Sequence, residues 1–172
     1  MLLLGHSPRV RTTSRIAVTL DLDARRNLAR YIRTEVLHPL GIPVEACAAT
    51  NAVKCLTTEM PEDIVVADGF VQRAFNHCQR HIVNEVSSAG VILLISLSER
   101  VSSMLQVVFA AANPPLGMKE IFATLRTITI GGNTLQWIPV VHLPKAKIRS
   151  HYFPEQTRRL EAIAGQVAEL LA

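Results

Sequence analysis

Cysteine is scarce in this chain of 172 residues, which holds Cys47, Cys55 and Cys78. An odd number without zinc-type spacing argues against a disulfide framework and for reduced thiols that pack as small apolar groups. Long apolar runs are missing as well. None reaches the roughly 18 residues of a membrane span. Met1-Leu2-Leu3-Leu4 is too short for a signal-peptide core and is interrupted by Gly5-His6-Ser7-Pro8. The expectation is a cytoplasmic protein without a membrane segment. Aromatic residues make up 5%, and neither an aromatic stacking pattern nor a DNA-reading motif accompanies the basic residues. There is no internal repeat and no low-complexity segment.

What is present is a large apolar fraction, 49%, enough for one domain with a sizeable core and an appendage. The formal charge of +4 is unevenly spread: Arg9, Arg11, Arg15, Arg25, Arg26, Arg30 and Arg33 crowd the first part of the chain. A run of this kind can bind an acidic partner. Without stacking aromatics it reads instead as a solvated helix face plus a basic arm over residues 1–14. Nucleic acid is not the expected partner.

From residue 15 the hydrophobic period alternates. Ile16-Ala17-Val18-Thr19-Leu20 reads as a strand, and Leu28, Ile32 and Val36 place a helix over 24–37, capped by Asp23 and ended by Pro39 and Gly41. Residues 43–48 read as a second strand and 51–59 as a helix. Ile64–Ala67 reads as a third strand, and Val71, Phe75, Cys78 and Ile82 as the apolar stripe of a helix over 71–86. Val91–Ile95 follows as a fourth strand, then a helical segment capped by Ser98, a fifth strand within 107–113, and a helix over 118–127. Such alternation predicts a parallel sheet with helices on both faces. The last residues break the pattern. Gly131-Gly132-Asn133 signals a hairpin, and Pro154 opens a final helix with Leu160, Ile163, Val167, Leu170 and Leu171 on one stripe. Pro139 and Pro144 limit central pairing of the second hairpin arm.

Three of these strands point chemistry at one edge, where ligands sit in open parallel sheets. The first ends in Asp21 and Asp23, the third in Asp68, the fourth in Ser96. Other tempting groups read more simply. His77 and His81 share a helix face without a third metal ligand nearby, Cys78 falls on the apolar stripe, and Gly131-Gly132 lacks the strand–loop–helix context of a phosphate cradle. Trp137 reads as a hairpin packing residue.

This order of elements and acids resembles the receiver domain of two-component response regulators, over residues 15–127. The resemblance implies a flavodoxin-like three-layer sandwich with a five-stranded parallel sheet in the order 2-1-3-4-5, extended over 128–172 by the hairpin and an amphipathic helix. It implies Asp68 as the phosphoacceptor position, Asp21 with Asp68 as holders of Mg²⁺, and Ser96 as the hydroxyl that follows the phosphoryl group. Leu20 stands where the family has a second acid, Pro114-Pro115 where it has Lys-Pro, and Gly69-Phe70-Val71 follows Asp68 in place of the usual loop. Each departure removes a charge or a ligand from the pocket.

The expectation is therefore a degenerate, non-enzymatic receiver-like module that signals through protein contacts in a two-component or related phosphorelay pathway. Its partners would be a histidine kinase, a regulator or a second copy, met through the C-terminal helix or the remodelled fourth helix and fifth strand. No cofactor is expected, and Mg²⁺ only if Asp68 accepts phosphate. The alternatives are a phosphoaccepting receiver and a small-ligand-binding flavodoxin-like domain.

Overall fold

Leu2, Leu3 and Leu4 are aliphatic at successive positions, so a strand made of them is apolar on both faces and belongs inside a sheet. The computed structural model, which describes residues 1–5, 22, 27–52, 64–110, 115–141 and 146–172, puts them there. Strand β1 (Leu2–Gly5) pairs in parallel with β2 (Ala48–Asn51) on one side and with β3 (Leu93–Leu97) on the other. β3 pairs in parallel with β5 (Asn133–Val140), and β4 (Arg126–Ile130) closes the row as an antiparallel partner of β5. The order is β2-β1-β3-β5-β4. The chain is thus α/β with a five-stranded, mostly parallel sheet.

All five residues of β3 are buried. Successive strand residues face opposite ways, so helices cover both faces at the centre. Helix α1 (Asn27–Tyr31) runs on into a π-helical turn, Ile32–Leu37. Helix α2 (Ile64–Ser88) buries Phe75, Cys78, Ile82 and Val86 at helical spacing. Helix α3 (Glu99–Phe109) packs beside it, with Phe75 and Phe109 edge to face at 6.3 Å. A single turn, α4 (Met118–Ile121), precedes β4, and α5 (Ala146–Leu171) ends the fold.

Several sequence expectations are corrected. Residues 2–5 are not part of a loose arm but an interior strand. The run Ile64–Ala67 is not a strand: it forms the start of α2. Short apolar runs fit either structure, and here the backbone is already helical from Ile64. Residues 107–109, placed in a fifth strand, belong to α3. The helix expected over 118–127 is cut to α4 because β4 begins at Arg126. The strand expected over 15–20 and most of the helix expected over 51–59 lie outside the described residues.

The hairpin stands where Gly131-Gly132 predicts it, but it is built into the sheet rather than added to it. Gly131 (φ +59°) and Gly132 (φ +84°) form the two-residue turn with both φ positive that suits strand twist. β5 then lies between two strands despite Pro139. The backbone explains this. Even-numbered residues of β5 face β3, as Gln136 N–H donates to the Ile92 carbonyl and the Val140 carbonyl accepts from Ser98. Pro139 therefore turns its missing N–H toward the β4 side, beyond Arg126, where β4 has not yet begun. Pro154 does not open the last helix either: it lies inside α5. The interior proline costs an intrahelical bond, and the rings beside it hold that turn, Phe153 stacked on Tyr31 at 5.2 Å and Tyr152 edge-on to Phe122 at 5.8 Å.

Candidate functional site

Four strands run parallel, so Gly5, Asn51, Leu97 and Val140 end at one edge of the sheet. From β1 the chain crosses to β2 on one side; from β2 it returns to β3 on the other side of β1. The connections diverge between β1 and β3. A crevice opens at such a reversal, outside the carboxyl ends, and open α/β sheets bind ligands there.

The backbone at this edge is unusual on both sides. At the end of β1, a Cβ built on Gly5 would stand 2.7 Å from Asn51 Oδ1. Glycine thus leaves room for a side-chain amide to lie across the strand end. The Gly5 carbonyl accepts from Ala52 N–H at 2.7 Å, holding the two strand ends together. Just past β3, Ser98 has φ 138° and ψ 157°, a region that is essentially glycine's and costs about 1–3 kcal/mol elsewhere. Bonds on several sides keep it there. Its N–H donates to the Val140 carbonyl at 3.1 Å, and its hydroxyl accepts from Val101 N–H at 3.3 Å as the cap of α3.

Ser96 is placed inside β3 with no exposure. The Trp137 indole N–H donates to its hydroxyl at 2.9 Å, and Ser96 and Ser102 hydroxyls are 2.9 Å apart. Ser102 in turn donates to the Ser98 carbonyl at 2.8 Å. The direction is thereby set: Trp137 to Ser96, Ser96 to Ser102, Ser102 to the Ser98 backbone. Ser96 is a link in a buried chain, not a hydroxyl open to a phosphoryl group. Asp68 lies within α2 rather than at a strand end. Asp21 and Asp23 lie outside the described residues. Asp68 therefore does not end a strand, because the segment expected to be one is the start of a helix. Among the described residues, no group of three or more His, Cys, Asp or Glu side chains could hold a metal ion.

The remaining candidates have plain surroundings. His77 and His81 are exposed on α2, and Cys78 is buried. Burial pushes the Cys47 thiol up to about 11, which keeps it protonated near neutrality and a poor nucleophile. Cys55 is outside the described residues. No described helix is long and apolar enough to cross a membrane.

Gly5, Asn51 and Ser98 were not singled out by sequence reasoning as site residues. The available signal was Leu2-Leu3-Leu4-Gly5, an apolar run closed by glycine. No protein-family model matches the chain, and no curated protein matches it.

Proposed function

We propose that the chain is a flavodoxin-like, three-layer domain that binds a small anionic ligand at the carboxyl edge of its sheet, between β1 and β3. The observation that carries this reading is the reversal of strand order at β1 and β3, flanked by a crowded glycine and a serine in a glycine-like backbone. The β2-β1-β3 half matches the flavodoxin-like order, and the hairpin alters only the other half. The ligand's charge follows from the sequence. From Met1 to Leu20 there is no Asp or Glu, while Arg9, Arg11 and Arg15 stand with Ser7, Thr12, Thr13 and Ser14 directly after β1. Cations and hydroxyls are the groups that hold phosphate or carboxylate. The test is a titration of the protein with ribose 5-phosphate, followed by Trp137 emission. Saturable binding that weakens with salt is expected. No binding of phosphorylated or carboxylated small molecules up to millimolar concentration would sink the reading.

A second reading keeps the resemblance to receivers: a non-catalytic, cytoplasmic module that signals through protein contacts, with a kinase, a regulator or a second copy as partner. The shared β2-β1-β3 order favours it, and Asp68 within α2 suits a module without phosphoryl chemistry. Incubation with acetyl phosphate and Mg²⁺ should then leave the protein unlabelled. Rapid labelling lost in Asp68→Asn would instead support the phosphoaccepting alternative.

A further inference from the structure

Strand β4 ends the row of strands, and its outer side is open. In β5 the odd-numbered residues face β4, so Arg126, Ile128 and Ile130 exchange hydrogen bonds with Trp137, Leu135 and Asn133. The backbone N–H and C=O groups of Thr127 and Thr129 therefore point away from the sheet. Both residues are exposed, and among the described residues no strand pairs with their outer side. An open edge of this kind is a template for another strand, and proteins commonly guard it with lysine, proline or a bulge. Arg126–Ile130 carries none of these: it reads Arg-Thr-Ile-Thr-Ile, and its register with β5 runs without a bulge.

We propose that β4 is a docking edge for a second copy of the chain, which adds its own β4 antiparallel to this one about a two-fold axis beside Ile128. The strand's own sequence selects that occupant. Outward backbone groups must meet outward backbone groups. Setting Thr127 opposite Thr129 of the partner subunit pairs the strand over its full length, and each Thr–Thr pair then exchanges both of its N–H···O bonds. A slip of register to the next match sets one threonine against itself and the other against Leu125 or Gly131, outside the strand. In the full-length register Arg126 lies opposite Ile130 of the partner subunit, so like charges do not meet. The side chains match as well. On the exposed face the Thr129 and Thr134 hydroxyls already lie 3.3 Å apart across the hairpin, and the new pairs continue that ladder of threonines into the second copy, a favourable cross-strand combination. An unrelated strand would satisfy the amides without this repeat. A two-fold contact of this kind closes on itself as a dimer. It lies at the opposite end of the strand order from β2 and β1, so it is tested separately from ligand binding.

A single strand edge is small beside the roughly 1,200–2,000 Å² of a standard interface, so association should be weak and concentration-dependent. The experiment is sedimentation of the full chain from low micromolar to near-millimolar concentration, with amide hydrogen exchange at both ends of the range. The mass should rise toward twice that of one chain. Exchange at Thr127 and Thr129 should slow as it does so, while Ile128, already bonded within the hairpin, should not change. Thr127→Pro with Thr129→Pro removes the outward donors and no bond to β5; its mass should stay at that of one chain, with the far-ultraviolet dichroism of the native fold. Thr127→Lys, which guards the edge without a proline, covers the case in which the double variant does not fold. A native chain that stays monomeric throughout overturns the proposal, whatever other strand the edge accepts. So does a dimer that persists in the folded variant, or one that forms without slowing exchange at Thr127 and Thr129.

Discussion

The indole N–H of Trp137 donates to the Ser96 hydroxyl at 2.9 Å, and through Ser102 that bond reaches the backbone carbonyl of Ser98 at the end of β3. The chain of donors ties β5, β3 and the start of α3 into one polar unit inside an apolar core. It also couples the protein's single tryptophan to the strained residue at the proposed ligand edge.

Removing Ser96 breaks this unit at its middle. Ser96→Ala leaves the Trp137 N–H buried and unpaired, at a cost of about 1–3 kcal/mol. Urea unfolding should show that loss, and Trp137 emission in the folded protein should shift. Native stability together with an unchanged spectrum would show that the bond contributes nothing.

Ser98 offers a comparison within one position. Both Ser98→Ala and Ser98→Gly remove the cap of α3, but only glycine relaxes at φ 138°. Capping data give glycine a smaller loss than alanine as well. Ser98→Gly should exceed Ser98→Ala in stability by about 1 kcal/mol or more. Thermal melts of the two variants side by side decide it, and equal values would mean that the backbone is not strained there.

The hairpin turn makes a similar pair. Gly131 and Gly132 both have positive φ. A Cβ at Gly131 would also overlap the Val83 side chain of α2, whereas nothing lies within 4 Å of one at Gly132. Gly132→Ala should cost only the left-handed penalty of about 1–2 kcal/mol. Gly131→Ala should cost clearly more, because the turn must also lift off α2. Equal melting temperatures for the two variants would place the hairpin away from α2.

Tyr31 predicts an alkaline limb in stability. Burial is the main cause that raises its phenol above the ordinary 10.0, with the nearby Glu35 adding to the shift and the Gln156 bond opposing it. Its hydroxyl donates to the Val141 carbonyl and accepts from Gln156 Nε2 at 3.0 Å. Gln156 closes the ring by accepting from Val141 N–H at 2.9 Å. Unfolded, the phenol ionises near pH 10; folded, it keeps its proton to higher pH. Its contribution is full below pH 10 and falls as pH rises above it. Unfolding free energies from pH 8 to 11 should decline more steeply for the native protein than for Tyr31→Phe. Parallel curves would show that Tyr31 does not set the alkaline limb.

Some of this architecture is legible in the sequence and some is not, for physical reasons that particular residues show. Leu93–Ile95 and the Gly131-Gly132 turn read correctly because an all-apolar run flanked by turn residues and a pair of glycines each have few alternatives. Asp63–Gly69 misled, since four apolar residues followed by an acid fit a strand end and a helix start equally well. Choosing the strand also made residues 1–14 an arm, and so hid β1, whose three leucines are as apolar as any strand in the fold. The site inherits that error. Asp68 looked chemical only while it ended a strand, and Ser96 only while its hydroxyl was open. Gly5 and Asn51 have no local signature, because their relation is set by parallel pairing between strands 46 residues apart in register.

The most direct measurement is a two-dimensional amide spectrum recorded while ribose 5-phosphate is titrated into the labelled protein. Saturable shifts concentrated at Gly5, Asn51, Ala52 and Ser98 are expected, with the Trp137 indole signal moving in step through Ser96 and Ser102. Shifts confined to other surfaces, such as the exposed side of α2 or α5, or a spectrum unchanged by this and other small anions, would contradict it.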